Sequence, residues 1–198
     1  MNSSLNVVGE QLWKKIGESM DRVEARLRKT VAILESASVP FAIVGGNAVR
    51  IWVAQVDPGA VRATNDVDIL VRLEDLEQIK RAMEANGFLH RKIAGVDMFL
   101  EGPDDSVRNA IHVVFANLMV KSDDFEANPD VEPSEMGDGI RTLPLDRLVR
   151  MKLNSYRLKD RVHLLDLISV GLINESWIEK YPTPLADRLR SLIENPDQ

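Results

Sequence analysis

The chain has 198 residues, 44% of them hydrophobic and 28% charged, which suits one compact domain, or a core with a helical appendage, and argues against disorder. It has no cysteine, so a disulfide framework and a cysteine-held zinc are excluded. The formal net charge of -6 counts against a general nucleic-acid coat protein but leaves room for a local basic groove.

No apolar stretch approaches the roughly 20 residues that span a bilayer. Met1 to Glu10 lacks a basic start followed by an apolar run, so no leader and no membrane partner are expected, and a cytoplasmic location is the default. Leu12, Ile16, Met20, Val23, Leu27, Val31 and Leu34 recur at spacings of three and four, the stripe of an amphipathic helix. That helix should end before Pro40, because the residue before a proline is pushed out of the helical region. The stripe would pack on the chain's own core or serve a second copy, so a homodimer stays open.

Phe41-Ala-Ile-Val44 is a short apolar run followed by Gly45-Gly46, which reads as a buried strand and a tight turn. Residues 47–55 read as a short helix with Ala48, Ile51 and Trp52 inward, and Asp57-Pro58-Gly59 as a turn. Val67, Ile69 and Val71 alternate with Asp66, Asp68 and Leu70, predicting a second strand. Residues 74–86 predict a helix with acids in its first turn and Gly87 just past its end. Three further strands are expected at 88–93, 97–101 and 110–115, with Asp104-Asp105 in the turn before the last. Residues 121–143 are acidic and rich in Pro and Gly, and read as a loop, either a lid or a solvated connection. Residues 145–170 predict one long helix, and 184–194 a last one. The order defines an α+β or mixed α/β fold: an N-terminal helix over 1–39, a mixed-sheet core over 40–120, the acidic loop, and a helical part over 144–198.

Residues two apart on a strand point to one face, so Asp66 and Asp68 present two carboxylates side by side. Such a pair repels itself unless a cation joins it, and magnesium, a hard oxygen-preferring ion, is the natural partner. Alone, the pair reads equally as two solvated acids. Gly45 and Gly46, between a strand and a helix, would let backbone N–H groups approach a phosphate at a helix N-terminus, with Asn47 adding a side-chain donor. Alone, the glycines need serve only the turn.

Together, Phe41-Ala-Ile-Val-Gly-Gly-Asn-Ala48 and Arg62-Ala-Thr-Asn-Asp-Val-Asp-Ile69 resemble the nucleotidyltransferase superfamily: strand, Gly-Gly turn, helix, then a strand with Asp-h-Asp. The Arg62-x-Thr64 lead-in is most similar to the AbiEii toxin-like branch. The resemblance implies a mixed sheet flanked by helices, and transfer of a nucleoside monophosphate from a nucleoside triphosphate to a hydroxyl on RNA, a protein or a small molecule. It implies Mg2+ (or Mn2+) on Asp66 and Asp68, a triphosphate held by Gly45, Gly46 and Asn47, and Arg62 and Thr64 in the same nucleotide-binding set, Arg62 helping to neutralise phosphate charge, with a surface ion pair as its plainer alternative.

The superfamily's third carboxylate falls on a neighbouring strand, where this chain has His112. An imidazole would act as base, but it does not replace a carboxylate for magnesium. His112 therefore also allows a non-catalytic nucleotide- or partner-binding protein. Asp97, Glu101, Asp104 and Asp105 are the substitutes to test, and the spacing from Gly46 to Asp66 is longer than in compact members. Further on, Lys152, Tyr156, Lys159, His163 and Asp166 would form one polar helix stripe beside Met151, Leu158, Val162 and Leu165. Between Asp146 and Arg161 stand six basic residues, Arg147, Arg150, Lys152, Arg157, Lys159 and Arg161, opposed only by the two aspartates. The segment resembles the AbiEii-like part that contacts nucleotide, which implies Lys152 or Lys159 as a triphosphate partner. A solvated helix face is the plainer alternative.

Overall fold

The computed structural model describes residues 3–196 except 123, with side chains from Gln11 onward save Trp13. The side chains of the opening stretch, Met1 to Glu10, and Asp123 of the acidic loop lie outside that description.

The elements run α1 (Ser3–Ser36), β1 (Phe41–Val44), α2 (Gly45–Ala54), β2 (Val67–Val71), α3 (Leu76–Ala85), β3 (Leu89–Ile93), β4 (Val96–Leu100), β5 (Ile111–Phe115), β6 (Glu135–Gly137), β7 (Ile140–Thr142), α4 (Leu145–Ser155), α5 (Leu158–Ser169) and α6 (Thr183–Glu194). The strands form one sheet in the order β3-β4-β5-β2-β1-β7-β6. β2 pairs antiparallel with β1 and parallel with β5. The expected mixed sheet with flanking helices is the observed fold.

β1 is buried at every position, because it lies between β2 and β7 with both faces covered. Val23, Leu27, Val31 and Leu34 of α1 are buried, and each contributes about 1.5–3 kcal/mol. The same stripe continues as Leu12, Ile16 and Met20, which are exposed by 56%, 40% and 39%. Among the described side chains of α1, burial in the core begins at Val23. α3 buries Ile79 and Met83.

Two expectations need correction. Residues 121–143 are not all loop: β6 and β7 form a hairpin that extends the sheet, with β7 parallel to β1. Asp138 and Gly139, both at positive φ (49° and 73°), make its two-residue turn. Residues 145–170 are not one helix. Tyr156 adopts a left-handed φ of 45°, ending α4, and Arg157 caps α5. α4, α5 and α6 pack on one another, and α2 touches both α4 and α5. That placement brings α5 to the loop leading into β2.

Candidate metal and nucleotide site

β2 and β5 pair in parallel with Asp68 opposite His112. Paired residues share a face, and Asp66 lies two residues before Asp68. One ligand atom from each of Asp66, Asp68 and His112 lies within 4.8 Å of the others. His112 Nδ1 is 3.6 Å from Asp68 Oδ1 and 4.0 Å from Asp66 Oδ2. The Asp68 carboxylate, as acceptor for the protonated His112 ring, raises the His112 pKa above its usual 6.5, against the opposing effect of burial. Burial alone would raise the Asp66 carboxyl, but Thr64 and Lys159 bring it below the usual value.

The glycines serve this cluster directly. Gly45 has φ +67°, and a Cβ there would overlap Asp68 Oδ2. At Gly46 a Cβ would stand 2.7 Å from Thr64 Oγ1. Thr64 in turn donates to Asp66 Oδ1 at 2.8 Å. So both glycines leave room for the carboxylates and their support. α2 begins at Gly45, two residues earlier than its sequence suggests, and no side chain caps it. The N–H groups of its first turn can therefore meet an anion.

The other expected residues sort as follows. Asn47 is fully buried, and its Nδ2 donates to the Asp66 carbonyl at 2.8 Å. It ties α2 to β2 rather than reaching outward as a donor. Arg62 Nε donates to Asp166 Oδ1 on α5 at 2.7 Å, with the Arg62 side chain 65% exposed. Lys159 Nζ lies 3.2 and 3.1 Å from the two Asp66 oxygens and is half exposed. Lys152 departs from expectation: it is buried and donates to Asp160 Oδ1 at 3.0 Å. The helix break is the reason, since it turns Lys152 into the α4–α5 junction instead of along the α5 stripe.

The break preserves the stripe on α5 alone. Lys159 reaches Asp66, His163 packs beside Gly46, and Asp166 holds Arg62. His163 is 8% exposed, with Nδ1 unpartnered. Burial, with Lys152 and Lys159 nearby, pushes its pKa down to about 4, so the ring is neutral. Tyr156 leaves the stripe, its hydroxyl donating to the Arg188 carbonyl.

Sequence reasoning passed over Asp160. It accepts from Lys152, from Ser155 Oγ at 2.7 Å and from Arg157 Nε at 2.8 Å. Its burial would raise its pKa, but Lys152, Arg157 and the Ser155 hydroxyl hold it at about 2. The Arg157–Asp160 spacing of three was the available signal. The proposed substitutes for a third carboxylate do not join the cluster. Met98 is the β4 residue opposite His112, so Asp97 points to the other face, where it meets His90 and Lys92. Glu101 pairs with Arg26, and Asp105 accepts from the backbone of Glu101 and Ser106. Among the described residues, Asp104 is in no such group either.

A seven-stranded mixed sheet, a Gly-Gly helix start and a carboxylate pair facing an α5 cation are now in place. Two solved structures share the fold along nearly the whole chain. One, the antibiotic-resistance factor ANT(2'')-Ia, aligns over 90% of this chain and 94% of its own, at 12% identity and a TM-score of 0.54. The other, an antigenic nucleotidyltransferase-like protein from Paracoccidioides brasiliensis, aligns over 90% and 91%, at 16% identity and a TM-score of 0.55. The fold is the nucleotidyltransferase fold. No family model matches the chain, and no curated protein matches it. No helix among the described residues is long and apolar enough to cross a membrane.

Proposed function

We propose that this chain is a metal-dependent nucleotidyltransferase that moves a nucleoside monophosphate from a nucleoside triphosphate to a hydroxyl. One observation carries the reading: the clustered ligand atoms of Asp66, Asp68 and His112 stand beside the uncapped start of α2. The carboxylate pair fits a hard, oxygen-preferring divalent ion such as Mg2+ or Mn2+. Asp66 and Asp68 would hold it, and it would neutralise charge developing on the transferred phosphoryl group.

The chain's own residues supply the rest. The first-turn N–H groups of α2 bind the triphosphate, and Lys159, the exposed cation on Asp66, meets its charge. The acceptor oxygen bonds to the α-phosphorus, the bond to the bridging oxygen breaks, and pyrophosphate leaves with the electron pair. His112 takes the hydroxyl proton, since it is the base nearest Asp68. The Arg62-x-Thr64 lead-in and the Arg157-x-Lys159-Asp160 segment support a place near the AbiEii toxin-like branch.

The second reading is a nucleotide- or partner-binding protein without turnover. His112 in place of a third carboxylate favours it, because no other acid joins the cluster among the described residues. Incubation with each α-labelled nucleoside triphosphate, magnesium or manganese, and cell lysate separates the two. The enzyme reading expects label on an acceptor, lost in Asp66→Asn and Asp68→Asn. Nucleotide binding without any transfer would establish the second reading instead.

A further inference from the structure

Lys159 stands on a carboxylate that the metal would need. Its Nζ lies 3.2 Å from Asp66 Oδ1 and 3.1 Å from Oδ2, so one ammonium spans both oxygens. Oδ1 also accepts the Thr64 hydroxyl at 2.8 Å, which takes up its second lone pair. Oδ2 keeps one, and it is the oxygen 4.0 Å from His112 Nδ1. A divalent ion on Asp66 would therefore share a single carboxylate with an ammonium. Like charges brought that close repel, so the ion and the Lys159–Asp66 pair compete.

The pair is able to open. The Lys159 side chain is 51% exposed, on the first turn of α5, and its four-carbon stem is flexible. Lys152 is the contrast, with side chains 7% and 1% exposed in its pair with Asp160. A released Lys159 would find both acids of its own helix engaged. Asp160 holds Lys152 and Arg157, and Asp166 holds Arg62. An anion at the uncapped first turn of α2 would supply the missing partner. That turn adjoins the carboxylates: Gly45 lies against Asp68, and Gly46 lies against Thr64, which is bonded to Asp66.

We propose that Lys159 is a displaceable lock on Asp66 that makes metal binding depend on the nucleotide. It closes the carboxylate to a free divalent ion, and it opens when a triphosphate draws the ammonium away. The proposal rests on the nucleotidyltransferase reading above. The coupling is reciprocal: an ion on Asp66 frees Lys159 for phosphate, so each ligand raises the affinity for the other. The chain thus admits metal and nucleotide together in preference to either alone.

Manganese uptake by the full chain without nucleotide, read from the free-ion EPR signal, tests the lock. Lys159→Met removes the competing ammonium and should bind the ion at least about threefold tighter than the parent, in line with the loss of one exposed ion pair. Lys159→Arg restores a cation that can span both oxygens, and should return the affinity to within about twofold of the parent. With manganese and a fluorescent ATP derivative the order reverses, and Lys159→Met should bind nucleotide severalfold more weakly than the parent. Circular dichroism confirms the fold of both variants. Equal or weaker manganese uptake by Lys159→Met overturns the lock, as does equal tightening in Lys159→Arg or undiminished nucleotide binding by Lys159→Met. Asp68→Asn tests the underlying reading separately. If the parent takes up manganese with a non-hydrolysable ATP analogue and Asp68→Asn does not, that reading stands whatever Lys159 does. If the parent binds neither ion nor nucleotide, the reading fails and takes the lock with it.

Discussion

Gly45 illustrates how closely backbone and chemistry are joined at the level of single residues. Its positive φ and the Asp68 carboxylate lying against it both exclude a side chain. Gly45→Ala should cost at least about 2 kcal/mol in urea unfolding and abolish metal binding, because Asp68 must move. Gly46→Ala, at an ordinary φ, meets the Thr64 side chain rather than a carboxylate and should cost less. The two histidines have opposite pH signatures. His163 has a folded pKa of about 4 against an ordinary 6.5, so its unfolded form binds the proton more readily. Its contribution is present above pH 6.5 and is lost as pH falls toward 4, on the order of 3 kcal/mol. His112 has a raised pKa, so its contribution is present below 6.5 and fades as pH rises through the folded value. Urea midpoints between pH 6.5 and 4 should therefore fall less steeply in His163→Gln than in the parent. Parallel slopes would remove His163 from the account.

Among the elements, the α4–α5 break decides what each lysine does. Lys152 and Asp160 are eight residues apart, about 12 Å along a continuous helix, yet they meet at 3.0 Å because the chain turns at Tyr156. Lys152→Met leaves Asp160 buried with only Arg157 as a charged partner, and should cost about 3–5 kcal/mol. Lys159→Met, at a half-exposed site, should change stability by less than about 1 kcal/mol while weakening nucleotide binding severalfold. Equilibrium unfolding and nucleotide titration of the two variants check this contrast. The break was not legible in the sequence, since Tyr156 is an unusual left-handed residue and neither glycine nor proline marks it. The hairpin was partly legible: Asp138-Gly139 is a turn signal, but its strands are three residues each, too short to show alternation. By contrast β1, β2 and the Gly-Gly turn were readable, because run length, alternation and glycine placement are local properties. The pairing of Asp68 with His112 could be guessed only through a resemblance, since register between distant strands is a tertiary fact. Gly137 packs against Ile51 of α2, so Gly137→Val should lift the hairpin and cost about 1–3 kcal/mol without loss of metal binding.

Across the whole molecule, burial is unevenly distributed. α1 is anchored from Val23 onward, and of the described side chains before that point Leu12, Ile16 and Met20 are exposed. Native-state hydrogen exchange should show amides after Val23 protected near the global limit and those before Met20 exchanging much faster. Uniform protection along α1 would mean that its first half is covered in solution by something outside this chain. The acidic total charge conceals a local cation at the site: Lys159 pairs with the Asp66 carboxylate.

All of this depends on Asp66 and Asp68 holding a divalent ion together with nucleotide. Manganese binding, read from the loss of the free-ion EPR signal during titration with a non-hydrolysable ATP analogue, tests that most directly. The parent chain should remove manganese from solution in a nucleotide-dependent manner, and Asp68→Asn should not do so at the same concentrations. Equal removal by parent and Asp68→Asn would contradict the account.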